Sequence, residues 1–277
     1  MFYNMHNLSQ ISPYVKWVGG KRQMINELIS LVPKHYNNYI EPFFGGGALF
    51  FYLQPKDAII NDLNSEITNS MDVIKTKYDS LISLLDEFTR KHNETFYYEI
   101  RNENSNDKLI KAARFIYLNK AGFNGMYRVN KNNQFNVPFG KKEKINLYNV
   151  DNLSKINKLL NNNNIKIFNK SYKEILEYVQ PNDFVFLDPP YDTDKNEFTS
   201  YTNLGFNRNN QEELACLLDH LSAKGIRWIL TNNATDFIIK RYKNYNQKII
   251  KTNRSINCDA TKRKKSANEI IIWNYEQ

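Results

Sequence analysis

Phe184–Tyr191 reads FVFLDPPY, an apolar run that ends in one carboxylate, two prolines and an aromatic ring. Asp183 to Leu187 predicts a buried strand, because four consecutive large apolar side chains leave no polar face for solvent. Open α/β sheets place their chemistry at the carboxyl ends of such strands, and Pro189 and Pro190 hold the chain there in an extended, non-helical turn. Asp188 and Tyr191 are then fixed in a cleft. The arrangement suits a planar amine: Asp188 and the Pro189 carbonyl accept its two N–H groups while the Tyr191 ring lies on its face. An exocyclic amine of a nucleic-acid base is such a group. The plainer alternative is a strand end followed by an ordinary Pro-Pro turn, with Asp188 as a cap.

Outward from this strand, further strand signals fall at Tyr39 to Pro42, Ala58 to Asn61, Ile165 to Phe168, Ile226 to Leu230, Gln247 to Lys251 and Glu269 to Trp273. Apolar residues at three and four spacing predict helices at Gln23 to Leu31, Ala48 to Leu53, Tyr172 to Tyr178, Gln211 to Leu221 and Asp236 to Tyr242. Strands that alternate with helices favour a largely parallel sheet. The last two strands have no helix between them and read as an antiparallel pair at the sheet edge, joined by the polar loop Ser255 to Ala267. Residues 64 to about 147 break the rhythm. They carry helical patterns at Glu66 to Lys75, Tyr78 to Lys91 and Leu109 to Asn119, then a hairpin-like segment, Asn124 to Gly140. There Met126, Arg128 and Asn130 alternate against Phe135 and Val137, with a turn at Lys131 to Asn133. A helical insert with a protruding hairpin is expected.

Glu41 to Leu49, EPFFGGGAL, joins the first strand to a helix. Gly45, Gly46 and Gly47 let the backbone approach a ligand, and Asp62 at the end of the next strand is placed to accept both hydroxyls of a ribose. The pattern is neither GxGxxG nor a P-loop, so a nucleoside cofactor without phosphates fits better than NAD or ATP. Lys16 to Lys21, KWVGGK, adds an indole, Trp17, able to stack on an adenine or pack beside a sulfonium, and Lys21, able to anchor a cofactor carboxylate.

Bulk properties limit the classes. The chain of 277 residues is 41% hydrophobic, enough for a full core in one or two domains. Its formal net charge of +9 favours a polyanionic partner, with cations clustered at Lys16 to Arg22, Lys141 to Lys144 and Lys262 to Lys265. Two cysteines, Cys216 (expected in the core) and Cys258, do not make a disulfide framework. The four histidines are scattered, so no metal is expected. The polar start and the lack of a long apolar run predict a soluble, cytoplasmic protein. The run Asn161 to Asn164 reads as a surface turn or a composition bias.

Taken in order, KWVGGK, EPFFGGGAL, NDLN, FNGMYRVN with FNVPFG, and FLDPPY resemble the Dam-type (D12 class) DNA adenine-N6 methyltransferases, and the likeness runs from Lys16 to the C-terminal EIIIWNY. The resemblance implies a Rossmann-like, S-adenosylmethionine-dependent catalytic domain, residues 1–63 and 148–277, with a helical and β-hairpin target-recognition domain inserted at 64–147. It implies that Trp17, Lys21, Gly45, Gly46, Gly47, Asp62 and Asp188 line the S-adenosyl-L-methionine site, and that Asp188, Pro189, Pro190 and Tyr191 form the catalytic motif. Double-stranded DNA would be the partner, the site GATC. By position, Arg128 would bond a guanine bidentately and Lys16 the other guanine, Met126 and Pro138 would touch a thymine methyl, and Asn124 would help around the extruded base. Asn136 joins these DNA-facing candidates. Met126 stands where the family more often has leucine.

The implied chemistry needs no metal and no covalent intermediate. Accepting both N6 hydrogens on Asp188 and Pro189 would localise the nitrogen lone pair for in-line displacement, with positioning rather than general-base work as the main task of Asp188. Phe198, Tyr201 and Phe206 are candidates for closing over the flipped base or for a small core beneath a loop. Arg254 and Lys262 to Lys265 are candidates for gripping phosphates. Other readings are an amino-methyltransferase acting on cytosine N4 or on RNA, and a catalytically silent DNA-binding subunit. Work beside a cognate restriction endonuclease, without stable binding, is one biological setting.

Overall fold

A computed structural model describes residues 10–17, 19, 21, 24–193, 206–253 and 266–276. Its centre is a seven-stranded sheet of β1 (Tyr39–Glu41), β2 (Asp57–Asn61), β3 (Asn164–Phe168), β4 (Phe184–Leu187), β5 (Arg227–Asn233), β6 (Asn246–Asn253) and β7 (Ser266–Trp273), in the order β3-β2-β1-β4-β5-β7-β6. The first five strands in that order are parallel, and β7 runs antiparallel to both β5 and β6, as the missing helix between the last two strands predicted. Every residue of β1 and β4 is buried. That explains why β4 reads as a continuous apolar run, while β1 buries Glu41, which accepts the Tyr39 hydroxyl at 2.8 Å.

The pleat sends successive side chains to opposite faces. Tyr39, Phe184, Phe186, Ile229 and Ile271 enter one core, and Ile40, Val185, Leu187, Trp228, Leu230, Ile270 and Ile272 enter the other. The first core also holds α1 (Ile25–Leu31), α2 (Ala48–Leu53), and four helices of the insert side: α3 (Ser65–Thr76), α4 (Tyr78–Lys91), α5 (Glu94–Asn102) and α6 (Lys108–Ala121), with α7 (Val150–Asn162) beside them. The second is covered by α8 (Tyr172–Leu176), α9 (Arg208–Ala223) and α10 (Asp236–Arg241). Phe135 and Val137 of the hairpin belong to the first core, so hairpin, helices and sheet share one apolar interior.

Helices α5 and α7 were not foreseen. Both start at an asparagine whose side chain accepts a backbone N–H, Asn93 from Phe96 and Asn149 from Asn152. Asn64, Asn207 and Asp107 cap α3, α9 and α6 in the same way. The asparagine run 161–164 closes α7 and opens β3, with Asn161 donating to Lys75 O at 2.9 Å and Asn164 to Asp57 at 3.1 Å. Cys216 departs from the expectation of burial. The buried stripe of α9 is Gln211, Leu214, Ala215, Leu218 and Leu221, and position 216 falls one step off it, so its thiol is exposed. Among the described residues no helix is long and apolar enough to cross a membrane.

The direction of the sheet reverses between β1 and β4. Strand β1 leads outward to β2 and β3, and β4 leads the other way to β5. The crevice at their carboxyl ends is the place where such folds bind ligands, and it receives both the loop after Glu41 and Asp188.

Candidate active site

Asp188 follows β4 and is met from β5 by Thr231, whose Oγ1 donates to Oδ1 at 2.7 Å. Lys21 Nζ lies 2.8 Å from the same oxygen, with the lysine side chain 4% exposed and that of Asp188 22%. Burial raises the Asp188 carboxyl above its ordinary range, against the charge and hydrogen bond of Lys21 and the bond from Thr231. The same ammonium stands 4.8 Å from the centroid of the Tyr191 ring. A nitrogen cation therefore rests on the two groups, carboxylate and aromatic face, that the sequence marked for an amine.

The turn that carries these groups is tied down by residues the sequence reading missed. Pro189 is buried, and the Pro190 carbonyl accepts Gln211 Nε2 at 2.8 Å. Gln211 in turn accepts Asn232 Nδ2 at 3.1 Å, while Asn232 Oδ1 takes the Asp192 N–H at 2.8 Å. The Asp192 carboxylate, 4% exposed, accepts Thr235 Oγ1 at 2.6 Å and Arg208 Nε at 3.3 Å. The available signal was the polar ending Thr231, Asn232, Asn233 of an otherwise apolar β5, which mirrors the polar ending of β4.

On the β1 side, Gly45 N–H donates to Asp62 Oδ2 and Asn64 N–H to Asp62 Oδ1, each at 2.8 Å. Asp62 thus binds the glycine loop to the end of β2. Burial pushes its carboxyl up to about 6, with the two backbone bonds opposing the rise. Gly45 has φ +49°, and a Cβ there would stand 2.8 Å from Cδ1 of Trp17, so the indole lies directly on the loop. Gly46 also adjoins Trp17, and Gly47 is the N-cap of α2. The other side of Trp17 meets Tyr127, ring centroids 5.3 Å apart, and Phe115 at 6.5 Å.

Lys16 and the turn that carries Asn124 meet at one buried side chain, Asn119 of α6, 1% exposed. It accepts the Lys16 N–H at 2.8 Å and donates to the carbonyls of Lys16 at 2.7 Å and Gly125 at 3.3 Å. Gly125, at φ +67°, lets the Lys16 stem pass where a Cβ would lie 2.5 Å from Cδ. Lys16 and Asn124 are both exposed here, joined by Phe123, 40% exposed. Lys142 adds its ammonium, lowered by burial and by the charge of Lys16. Replacing Asn119 by alanine strands the buried carbonyl and N–H of this junction. The expected loss is about 2 kcal/mol of unfolding free energy, read as a lower urea midpoint with unchanged slope.

The hairpin turns where predicted. Asn130 N–H bonds Gln134 O at 2.9 Å, and Asn130 Oδ1 takes the N–H groups of Asn132 and Gln134. Arg128 is exposed, and its Nε donates to Asn136 Oδ1 at 2.7 Å. Pro138 is exposed beside it. Met126 corrects the expected alternation: it is 6% exposed and lies in the core, not on the face of Arg128. Met126 is the C-cap of the 3-10 turn Phe123–Gly125, and the nearest strand-like bridge is Val129 with Phe135, so period-two counting does not extend back to it. Of the loop aromatics, Phe206 packs on Phe43 and Tyr172. Phe198, Tyr201, Arg254 and Lys262 to Lys265 lie outside the described residues, as does Cys258. Among the described residues no group of three or more His, Cys, Asp or Glu is placed to hold a metal ion.

Comparison with known proteins follows these motifs. Residues 17–256 match the model of the D12 class of N6 adenine-specific DNA methyltransferases. The chain is 37% identical to the Type II methyltransferase M1.LlaDCHI of Lactococcus lactis subsp. cremoris, covering 97% of each protein. It is 38% identical to the Type II methyltransferase M.MjaIII of Methanocaldococcus jannaschii, over 96% of this chain and 100% of that one. With the DNA adenine methylase of Escherichia coli (strain K12) the identity is 28% over 91% of each.

Proposed function

Because this chain belongs to the D12 class of N6 adenine-specific DNA methyltransferases, we propose that it moves a methyl group from S-adenosylmethionine to N6 of an adenine flipped out of a GATC site in duplex DNA. Membership makes it an adenine-specific DNA methyltransferase, which sets aside cytosine N4, RNA and a silent binding subunit. The observation that carries the finer reading is the Lys21 ammonium held 2.8 Å from Asp188 and over Tyr191, a nitrogen in the place proposed for the adenine amine. Two of the named relatives are Type II methyltransferases, and on that likeness a cognate restriction endonuclease is the proposed companion activity.

The donor set suits a nucleoside cofactor. Asp62 has one oxygen fixed by each of two backbone N–H groups, which leaves a lone pair on each for a ribose hydroxyl. Trp17 and Gly45 to Gly47 form an apolar wall beside it, and Lys21 and Asp188 close the side toward the reacting nitrogen. When bound, S-adenosylmethionine supplies a methyl group activated by its sulfonium. Asp188 and the Pro189 carbonyl accept the two N6 hydrogens, which turns the nitrogen lone pair out of the ring and toward the methyl. Once N6 had taken the methyl group that the cofactor would supply, Asp188 or water would receive the proton that N6 gives up. Residues 64–147 form the proposed target-recognition part. Lys16, Asn124, Arg128 and Pro138 face the duplex, Asn136 holds Arg128, and Met126 supports the turn from inside.

Transfer of labelled methyl to paired duplexes that differ only in GATC or GTAC tests this reading. Incorporation confined to GATC is the expected result, and equal incorporation into both would overturn the site assignment. A second check uses pH. An acid whose folded value is raised to about 6 is a carboxylate above that pH and protonated below it. Protonation replaces a ribose acceptor with a donor, so affinity for S-adenosylhomocysteine is expected to be flat above pH 7 and about tenfold weaker at pH 5. Calorimetric titration checks it, and Asp62→Asn is expected to be weak at both pH values.

A further inference from the structure

We propose that Glu269 is a positioning residue that fixes the plane of Tyr191 for stacking on the target base, an inference that rests on the adenine site described above. Two prolines make the main chain before Tyr191 rigid, but they leave its side-chain torsions free. A ring that must receive a flipped base loses less entropy on binding when its plane is already set. The Tyr191 hydroxyl donates to Glu269 Oε2 at 3.0 Å, and Thr252 Oγ1 donates to Glu269 Oε1 at 2.7 Å. With both oxygens engaged, the carboxylate does not swing. Glu269 sits on β7 opposite Asn233 of β5 and Ile250 of β6, so the anchor is built into the sheet rather than into a loop.

The choice of residue carries information. Glu269 is close enough to Asp188 to raise the carboxyl of Asp188 by like charge. A neutral side chain would avoid that cost, yet an ionised carboxylate is the group that accepts from two hydroxyls at once. Glutamine keeps one acceptor oxygen and replaces the other with an NH2 group, so one of the two hydroxyls must turn from donor to acceptor and the hold on Tyr191 is weakened. Burial and the two nearby carboxylates also hold the Tyr191 phenol well above the ordinary tyrosine range, so it remains a donor to Glu269. The Pro-Pro backbone and the hydroxyl bond to Glu269 then hold the ring at both ends and leave its face to the base.

The test is a double-mutant cycle of Glu269→Gln and Tyr191→Phe. Single-turnover methylation of a GATC duplex is expected to fall about tenfold in each single variant, with cofactor KM unchanged. The double variant is expected to be no slower than the slower single one. With 2-aminopurine at the target position, both singles are expected to give brighter complexes than wild type, because the flipped base is less stacked. Additive losses near a hundredfold, or unchanged 2-aminopurine emission, would overturn the proposal. A readout without DNA separates this from the site reading: in protein labelled with 3-fluorotyrosine, the ¹⁹F resonance missing from Tyr191→Phe is expected to shift and broaden in Glu269→Gln. An unchanged resonance would overturn the Tyr191–Glu269 anchor. Failure of the wild-type enzyme to methylate adenine, with the resonance shift present, would count against the site reading alone.

Discussion

Asp188→Ala is expected to lower methyl transfer to DNA by at least about a thousandfold, the scale on which preorganised groups at a reacting centre act. The variant is also expected to be less stable, for a reason separate from catalysis. Lys21 is 4% exposed and its carboxylate partner is Asp188, so removing that carboxylate leaves a buried ammonium held by the neutral Gly19 carbonyl and the Tyr191 ring. Breaking such a pair costs about 3 kcal/mol, and the partial exposure of Asp188 keeps the figure at the low end. Pairing Asp188→Ala with Lys21→Met separates the two effects. The double variant is expected to recover the urea midpoint and to remain inactive. Recovery of activity in it would mean that Asp188 serves only to neutralise Lys21, and that the amine-acceptor role is wrong. A Thr231→Val control removes one hydrogen bond from the same oxygen and is expected to cost far less in rate.

How far the sequence reaches is visible in these same residues. Strand β4 and its DPPY ending were legible because a strand buried on both faces must be apolar throughout, and its chemical residues can only follow it. The glycine loop and Asp62 were legible for a related reason: residues at the ends of adjacent parallel strands meet. Illegible were partners far apart in the chain. Glu269 and Thr252 reach Tyr191 through strand order, and β7 lies between β5 and β6 against its position in the sequence. Asn119 read as one more residue of a helical stripe, while its side chain ties the segment before Trp17 to the hairpin base. Met126 went astray because it caps the 3-10 turn Phe123–Gly125 and stands before the paired part of the hairpin, where alternation holds.

The six residues from Lys16 to Lys21 connect the two halves of the proposed reaction. Lys16 is held against the hairpin base by Asn119 and Gly125, Trp17 lies between the glycine loop and Tyr127, and Lys21 ends on Asp188. Ring contacts of Trp17 with Tyr127 and Phe115 make the same link through side chains.

Arg128→Ala is expected to lower kcat/KM on a GATC duplex by about 5- to 150-fold, the 1–3 kcal/mol of one bidentate guanine contact. Arg128 is exposed, yet it is not free to sweep: Nε donates to Asn136 Oδ1 at 2.7 Å and Nη2 to the Asn136 carbonyl at 3.2 Å. A guanidinium has five N–H donors, so this brace leaves three at the far end of a pre-oriented fork. Lysine reproduces neither the brace nor the fork, and Arg128→Lys is expected to behave like the alanine variant. Substituting 7-deazaguanine in the site removes the N7 acceptor. Wild type is expected to lose rate on that duplex, and Arg128→Ala is expected to be indifferent to it. If the mutation instead weakens all duplexes equally and its effect fades with salt, Arg128 is a phosphate contact and the guanine is read elsewhere.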